Sequence, residues 1–223
     1  MIVNERIVSY IHSLEKSNGE ICDEIEEYAH KTYVPIIRKE MESFLRVLIE
    51  IKQPKKILEL GTAIGYSAIL MAGVMPDDCR ITTVENYDKR IPIAKENFAK
   101  AGISDRITLL EGDALEHLKA LDEEYDFIFM DAAKGQYLNY LEEIMRILPK
   151  GGILIADNVL QEGELIQSRY AVERRNRTIH SRMREYLYTV KNMGELETSI
   201  IPIGDGITLS VRKDESRYDK EIS

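Results

Sequence analysis

A chain of 223 residues, 44% of them hydrophobic and 31% charged, is long enough for one sizeable core and has the composition of a soluble globular protein, not of a disordered or fibrous one. No run approaches the ~18 unbroken apolar residues of a membrane-spanning helix, and two cysteines are too few for a disulfide framework, so we expect a cytoplasmic protein with no membrane partner. The net charge of −9 repels polyanions, so any contact with nucleic acid requires a local basic patch.

The first 52 residues have the apolar periodicity of helices, and Pro35 separates the second helix from the third. Beyond Lys55, short β-type runs alternate with helical ones. The predicted strands are Lys56–Leu60, Arg80–Glu85, Arg106–Glu111, Phe127–Asp131 and Gly152–Asp157. The predicted helices between them are Tyr66–Val74, Lys89–Ala101, Ala114–Leu121 and Gln136–Leu148. This alternation predicts right-handed βαβ units and a parallel sheet covered on both faces.

The pattern changes after the fifth strand. An arginine-rich helix is predicted over Glu173–Val190. Two strand segments, Glu197–Ile203 and Ile207–Val211, flank the turn sequence Gly204-Asp205-Gly206, which predicts a hairpin.

These elements predict an α/β protein with a doubly wound, mostly parallel sheet, a C-terminal antiparallel hairpin and extra N-terminal helices. Residues 1–213 form one domain in this interpretation, with helices over 1–52 and the α/β core over 55–213. The polar stretch 214–223 is expected to be a flexible tail.

The first predicted strand runs into a glycine-containing turn and then a helix, in the sequence Glu59-Leu60-Gly61-Thr62-Ala63-Ile64-Gly65-Tyr66-Ser67. Gly61 and Gly65 allow the backbone to approach a ligand closely. The turn lacks the third glycine of the dinucleotide fingerprint and the Gly-Lys-Ser/Thr of a phosphate loop. Glu59, a carboxylate at the end of a buried strand, suits a cationic ligand rather than a pyrophosphate, which argues against a nicotinamide-dependent dehydrogenase.

Two further carboxylates follow the next two strands. Glu85 ends the second predicted strand, about where nucleotide-binding α/β folds place the acid that binds ribose. Asp113 follows the third strand, where it either accepts from an adenine amino group or caps the next helix. Because the carboxyl ends of parallel strands meet at one edge of the sheet, we expect Glu59, Glu85 and Asp113 to face one crevice.

A second polar group follows the fourth and fifth strands, where Asp131 closes one and Asp157 with Asn158 closes the other. Two carboxylates and an amide oxygen form a hard, partly open donor set that suits Mg²⁺, although Asp-Asn is also a common turn sequence. Lys134 lies three residues past Asp131, within reach of a substrate oxygen that such a metal would bind. An ammonium beside a divalent cation is disfavoured, which favours a general-base role for Lys134 over a solvated position at the start of a helix.

The sequence Glu-x-Gly-x-x-x-Gly-Tyr-Ser, the strand-end Glu85 and Gly112-Asp113-Ala114 resemble class I S-adenosylmethionine-dependent methyltransferases. Within that class, Asp131-Ala132-Ala133-Lys134 and Asp157-Asn158 resemble the metal-dependent O-methyltransferases of the catechol and caffeoyl-coenzyme A type. The resemblance implies a seven-stranded Rossmann-like fold, S-adenosylmethionine as cofactor, Mg²⁺ as metal, catalytic roles for Lys134 and Asp131, and a homodimer with the N-terminal helices at its interface. The cofactor-binding residues that it implies are Met41, Glu59, Gly61, Gly65, Ser67, Glu85, Asp113, Ala114 and Asp131.

Six arginines lie within residues 169–184, which contain a single acid, Glu173. Arginine suits phosphate through bidentate contacts, although a solvated helix face with ion pairs such as Arg182 with Glu185 would have the same composition. With this segment, the chain looks most like the bacterial tRNA 5-hydroxyuridine methyltransferases. That resemblance implies methylation of the 5-hydroxyl of 5-hydroxyuridine at the tRNA wobble position, to give 5-methoxyuridine. The arginines implied to contact tRNA are Arg174, Arg175, Arg177 and Arg182.

A small-molecule O-methyltransferase is the other interpretation. The same metal residues would serve a phenol such as a catechol or a hydroxycinnamoyl thioester, and the arginines would hold the phosphates of coenzyme A. A non-catalytic cofactor-binding protein is disfavoured, because such a protein has no use for Lys134 and the metal residues together.

Overall fold

The computed structural model describes residues 3–214, in which seven strands form one sheet. The strands are β1 (Lys56–Leu60), β2 (Arg80–Glu85), β3 (Ile107–Glu111), β4 (Phe127–Met130), β5 (Ile153–Ala156), β6 (Leu196–Ile201) and β7 (Ile207–Arg212). Their order is β3-β2-β1-β4-β5-β7-β6, in which the first five are parallel and β7 runs antiparallel to both of its neighbours. This topology confirms the predicted doubly wound sheet with a C-terminal antiparallel hairpin. The predicted tail lies outside the described residues, apart from Asp214.

Helices flank the sheet on both faces. They are α1 (Glu5–Leu14), α2 (Glu20–Thr32), α3 (Lys39–Lys52), α4 (Tyr66–Ala72), α5 (Ile91–Lys100), α6 (Ala114–Ala120), α7 (Tyr137–Ile147) and α8 (Arg177–Asn192). Helix α2 ends at Tyr33 in a left-handed conformation, and Pro35 lies in the connection to α3, as the sequence predicts. No helix in the described part of the chain is long and apolar enough to cross a membrane.

Alternating side chains along the central strands build two cores, one on each face of the sheet. Ile57 and Phe129 pack on the face covered by α3 and α4, whereas Leu58 and Met130 pack on the face covered by α7 and α8. Successive residues of a strand point to opposite faces, so a strand that is buried on both sides reads as a continuous apolar run. This arrangement explains why the parallel strands were recognisable from the sequence.

Several element boundaries differ from the predictions. Strands β4 and β5 end one residue earlier than predicted, which leaves Asp131 and Asp157 just beyond the sheet. Strand β6 ends before Pro202, because proline has no N–H to donate to the ladder. The arginine-rich helix begins at Arg177 rather than at Glu173, after a short 3₁₀ turn over Arg174–Asn176.

The order of the strands reverses between β1 and β4, which are neighbours at the centre of the sheet. In open α/β sheets a crevice opens outside the carboxyl ends of the strands at this switch point. The glycine turn after β1 and the polar residues after β4 and β5 therefore converge at one edge.

Candidate active site

A cavity of about 530 Å³ opens at the carboxyl edge of the sheet, within the ~300–1,000 Å³ range of small-molecule sites. Its wall combines the glycine turn, the ends of β2, β4 and β5, the connection between α2 and α3, and the turn between β6 and β7. The predicted site residues that line it are Met41, Gly61, Glu85, Ala114, Asp131, Lys134, Asp157 and Asn158. The predicted residues Glu59, Gly65, Ser67 and Asp113 are not part of this lining.

The glycine turn requires both of its glycines for steric reasons. Gly61 has φ +103°, and a Cβ added there would lie 2.1 Å from the carbonyl oxygen of Asp131. Gly65 has φ +87°, and a Cβ there would lie 2.6 Å from the ring of Phe98. Gly61 thus allows the turn to lie directly against the end of β4, whereas Gly65 allows it to pack on α5.

Glu59 lies beneath the turn instead of in the crevice. Its side chain is fully buried and accepts hydrogen bonds from the hydroxyls of Ser67 and, at 2.5 Å, Thr83. Burial, with a smaller contribution from the charges of Asp131 and Glu85, raises the pKa of Glu59 to about 7, although the two hydrogen bonds act to lower it. Glu59 and Ser67 therefore support the turn from below.

The other two strand-end acids have different surroundings from each other. Glu85 lines the cavity and accepts from the backbone N–H groups of Ala63 at 2.7 Å and Tyr87 at 2.9 Å. Asp113 caps α6, where its carboxylate accepts from the N–H groups of Leu115 and Glu116. The expected convergence of three acids on one crevice is thus not found: of the three, only Glu85 lines the cavity.

Asp131, Asp157 and Asn158 meet at one corner of the cavity, because β4 and β5 are paired in register up to Met130 and Ala156. The Asn158 side-chain Nδ2 donates to Asp131 Oδ1 at 2.8 Å, and the Asn158 N–H donates to Asp157 Oδ1 at 2.6 Å. Asn158 has φ +60°, the left-handed conformation that asparagine adopts more readily than other residues with a side chain.

Two buried carboxylates at one corner disfavour each other's ionisation. Burial, together with the neighbouring Asp131 charge, raises the pKa of Asp157 to about 7. Burial also raises the pKa of Asp131, while the Asn158 hydrogen bond and the Lys134 charge lower it. A divalent cation would neutralise this corner, and two carboxylates with an amide oxygen are a hard donor set of the kind Mg²⁺ takes. Residues 3–214 contain no cluster of three His, Cys, Asp or Glu side chains suited to a metal, so the amide of Asn158 would have to be the third donor.

Lys134 begins a short 3₁₀ turn, Lys134–Gln136, directly after this corner. Its side chain lines both the main cavity and a smaller one of about 300 Å³, which also includes Asn176 and Ile179. Lys134 thus lies where a bound acceptor would meet the two carboxylates.

Tyr137, which sequence reasoning missed, is buried and donates to the backbone oxygen of Asp157 at 3.0 Å.

The predicted arginine cluster makes mainly local contacts. Arg177 donates to the backbone oxygen of Val172, Arg175 pairs with Glu173 at 2.7 Å, and Arg182 donates to the backbone oxygen of Gly135 at 2.9 Å instead of pairing with Glu185. Arg174, Arg175 and Arg182 are exposed on the surface. None of the six arginines lines the main cavity.

Three charged residues that line the cavity, Arg38, Arg90 and Asp205, were not singled out from the sequence. Arg38 Nη2 lies 2.7 Å from Asp205 Oδ1 and 3.5 Å from Glu162 Oε1, and Arg38 and Asp205 both line the main cavity. The Gly-Asp-Gly sequence indicated a turn, but nothing in it indicated that Asp205 would pair with a residue 167 positions away.

The fold and the site together define a methyltransferase of the Rossmann-like class. A family model described as O-methyltransferase matches residues 12–213, so the chain belongs to that family. It is 34% identical over 179 residues to caffeoyl-CoA O-methyltransferase 1 of Eucalyptus globulus, which covers 76% of this chain and 71% of that protein.

Solved structures agree with this assignment. A putative caffeoyl-CoA O-methyltransferase from Staphylococcus aureus superimposes with a TM-score of 0.85 at 30% identity, covering 92% of this chain and 98% of that one. An O-methyltransferase from Bacillus cereus, solved in complex with SAH, has a TM-score of 0.83 at 25% identity, covering 93% and 97%. The protein is an S-adenosylmethionine-dependent O-methyltransferase.

Proposed function

We propose that this enzyme methylates one of two adjacent phenolic oxygens on a small acceptor, with Mg²⁺ held by Asp131, Asp157 and Asn158. The observation that carries the proposal is the meeting of two buried carboxylates and an amide in the wall of one cavity, with Lys134 beside them. The names of the relatives, which include caffeoyl-CoA O-methyltransferases and a catechol O-methyltransferase, support this acceptor class.

The chemistry needs an acceptor anion held in line with the methyl group. A methyl group passes from a sulfonium carbon to oxygen by displacement, so the oxygen has to lose its proton and lie at attack distance. Lys134 takes that proton on Nζ. The bound cation would chelate the two acceptor oxygens and stabilise the anionic form of one.

The cofactor would occupy the part of the cavity next to the glycine turn. Glu85 would accept from the ribose hydroxyls, and Met41, Gly61, Ala114 and Asp131 would contact the rest of the molecule. The remaining predicted residues would support the segments that form this pocket without contacting the cofactor themselves. They are Glu59, Gly65, Ser67 and Asp113.

Methylation of tRNA is a second candidate, supported by the exposed Arg174 and Arg175, which directly precede Asn176 in the wall of the small cavity. Because Arg177 is bonded to the backbone, the double variant Arg174→Ala/Arg175→Ala tests this role with less disturbance of the fold. If the acceptor is tRNA, this variant binds it more weakly, with a flatter salt dependence and unchanged cofactor binding. Unchanged tRNA affinity would reject this candidate.

The direct test supplies both acceptors to the purified enzyme. We expect transfer of labelled methyl from S-adenosylmethionine to catechol or caffeic acid, and no transfer to tRNA lacking the modification. Treatment with EDTA should lower the rate of transfer by at least about 100-fold, and added Mg²⁺ should restore it. Asp157→Ala should lose transfer but retain cofactor binding by calorimetry, whereas the exposed Asp122→Ala, a control carboxylate, should lose neither. Full activity after EDTA would contradict the metal proposal.

The expected homodimer is also part of this proposal. Exposed apolar side chains on α1 and α3 support it, because monomeric proteins rarely leave large contiguous apolar patches in water. They are Ile7, Tyr10, Leu14, Val47 and Ile51.

A further inference from the structure

The turn between β6 and β7 lies against the chain that follows Asn158. The N–H of Val159 donates to the backbone oxygen of Gly206 at 2.8 Å, and the N–H of Leu160 donates to that of Asp205 at 2.9 Å. A Cβ on Gly206 would lie 2.3 Å from the Leu160 side chain, so the two segments are packed without a gap. The turn is therefore a direct support of the corner that contains Asp157 and Asn158.

Arg38 ties this turn to the start of α3. Its guanidinium pairs with Asp205 at 2.7 Å, and both side chains are largely sheltered, with 33% and 15% of their surfaces exposed. The same guanidinium lies 3.5 Å from Glu162, four residues after Asn158. We call the corner formed by Asp131, Asp157 and Asn158 the metal corner. The side chains of Arg38 and Met41 also lie against Gly204. One side chain thus joins three segments around the cavity.

The chain that follows the corner needs such support because its backbone is unfavourable. Gln161 and Glu162 have φ of +48° and +53°, a conformation that costs residues of this kind on the order of 1–3 kcal/mol and persists only where the surroundings fix it. Asn158 is fixed on one side by Asp131 and Asp157, and on the other side by the bonds of Val159 and Leu160 to the turn.

We propose that Arg38 and Asp205 form a positioning pair, which holds the turn against Val159 and Leu160 and so keeps Asp157 and Asn158 in the geometry that binds a divalent cation. The cation part of this inference rests on the proposed function. The support that the pair gives to the backbone is independent of the proposed function, and a separate experiment measures it.

Two variants, Arg38→Gln and Asp205→Asn, remove the pair with little change in volume. In the full-length enzyme with S-adenosylmethionine bound, each should weaken Mn²⁺ or Mg²⁺ binding by about tenfold in calorimetry, the lower end of the range for residues that orient metal ligands. Cofactor affinity should stay unchanged. The double variant should be no weaker than either single variant, because the two residues act as one unit, and Arg38→Lys should recover part of the loss.

Lys39→Gln is a matched control. Lys39 pairs with Glu26 at 2.6 Å, with 31% and 16% of the side-chain surfaces exposed, but this pair links α3 to α2 and does not contact the turn. Lys39→Gln should bind metal like the wild type. Equal weakening in this control, or additive effects in the double variant, would overturn the proposal.

Hydrogen exchange of the Val159 and Leu160 amides separates the two proposals. Exchange should become faster in Arg38→Gln and in Asp205→Asn but not in Lys39→Gln, with or without metal. Unchanged exchange overturns the positioning pair even if metal binds normally. Wild-type protein that binds no divalent cation overturns the metal part of both proposals, and a wild-type metal affinity in Asp157→Ala contradicts the proposed ligand set.

Discussion

Lys134 combines the two properties that a base for this reaction needs. Its side chain lines the cavity, and it lies close to both carboxylates of the metal corner, where the acceptor oxygen would bind. An amine in this place can receive a proton from the acceptor, which no neighbouring backbone group can do.

Lys134→Met should therefore lower kcat by about 100-fold or more, the usual contribution of a positioned base, with unchanged cofactor affinity. Lys134→Arg keeps the charge but cannot accept a proton near neutral pH, so it should be equally slow. Steady-state kinetics at saturating acceptor measure both variants. Recovery of kcat in the arginine variant would mean that charge alone is needed.

Glu59 makes the stability of the protein depend on pH. Because burial raises its folded pKa from 4.5 to about 7, the folded state binds the proton more tightly than the unfolded state does. The stabilising effect of this proton is complete below about pH 4.5 and is lost as the pH rises through 7.

Glu59→Gln imitates the protonated side chain, so its stability should lack this part of the pH dependence. Relative to the wild type, the free energy of unfolding of the variant should rise between pH 5 and pH 8, by up to about 3 kcal/mol. Urea unfolding at both pH values measures the difference. A constant difference between the two proteins would show that Glu59 is ionised throughout.

At the scale of elements, the glycine turn and the end of β4 form one unit. Gly61 lies so close to the carbonyl of Asp131 that a side chain there must push the two apart. Because Asp131 is also bonded to Asn158, this displacement would reach the metal corner.

Gly61→Ala should therefore lose methyl transfer and metal binding as well as stability. Gly19 is a matched control, since it has the same φ of +103° but nothing within 4 Å of an added Cβ. Gly19→Ala should lose about 1–3 kcal/mol from backbone strain and remain active. Equal behaviour of the two variants in unfolding and in transfer assays would contradict the role of the close contact.

At the scale of the whole molecule, the apolar surface of α1 and α3 has consequences for assembly. Val47 and Ile51 are 56% and 73% exposed on α3, and Tyr10 and Leu14 are exposed on α1, which packs against α3. In a monomer these side chains would all face water.

Ile51→Glu should shift the protein from dimer to monomer, which light scattering during gel filtration measures. Tyr188→Glu changes a side chain that is also 73% exposed, but on α8, and should leave the dimer intact. A wild-type protein that is monomeric at micromolar concentration would contradict the assembly proposal.

The sequence was sufficient for the order of the elements and for part of the site. Apolar runs separated by amphipathic helices are a local signal, and residues that directly follow parallel strands reach the same edge of the sheet. For this reason Glu85, Asp131, Asp157 and Asn158 could be expected to line one cavity. Glu59 lies beneath the turn and not in the cavity wall, because it is inside β1, one residue before the strand ends, instead of beyond it.

The sequence by itself determined the doubly wound fold and the glycine turn, because both depend on patterns within a few neighbouring residues. Only the tertiary structure decided that Arg182 donates to the backbone of Gly135, 47 residues away, and that Arg38 meets Asp205 across 167 residues. The direction of a polar side chain is set by whichever partner lies within hydrogen-bond distance, and that partner is known only when distant segments have packed together.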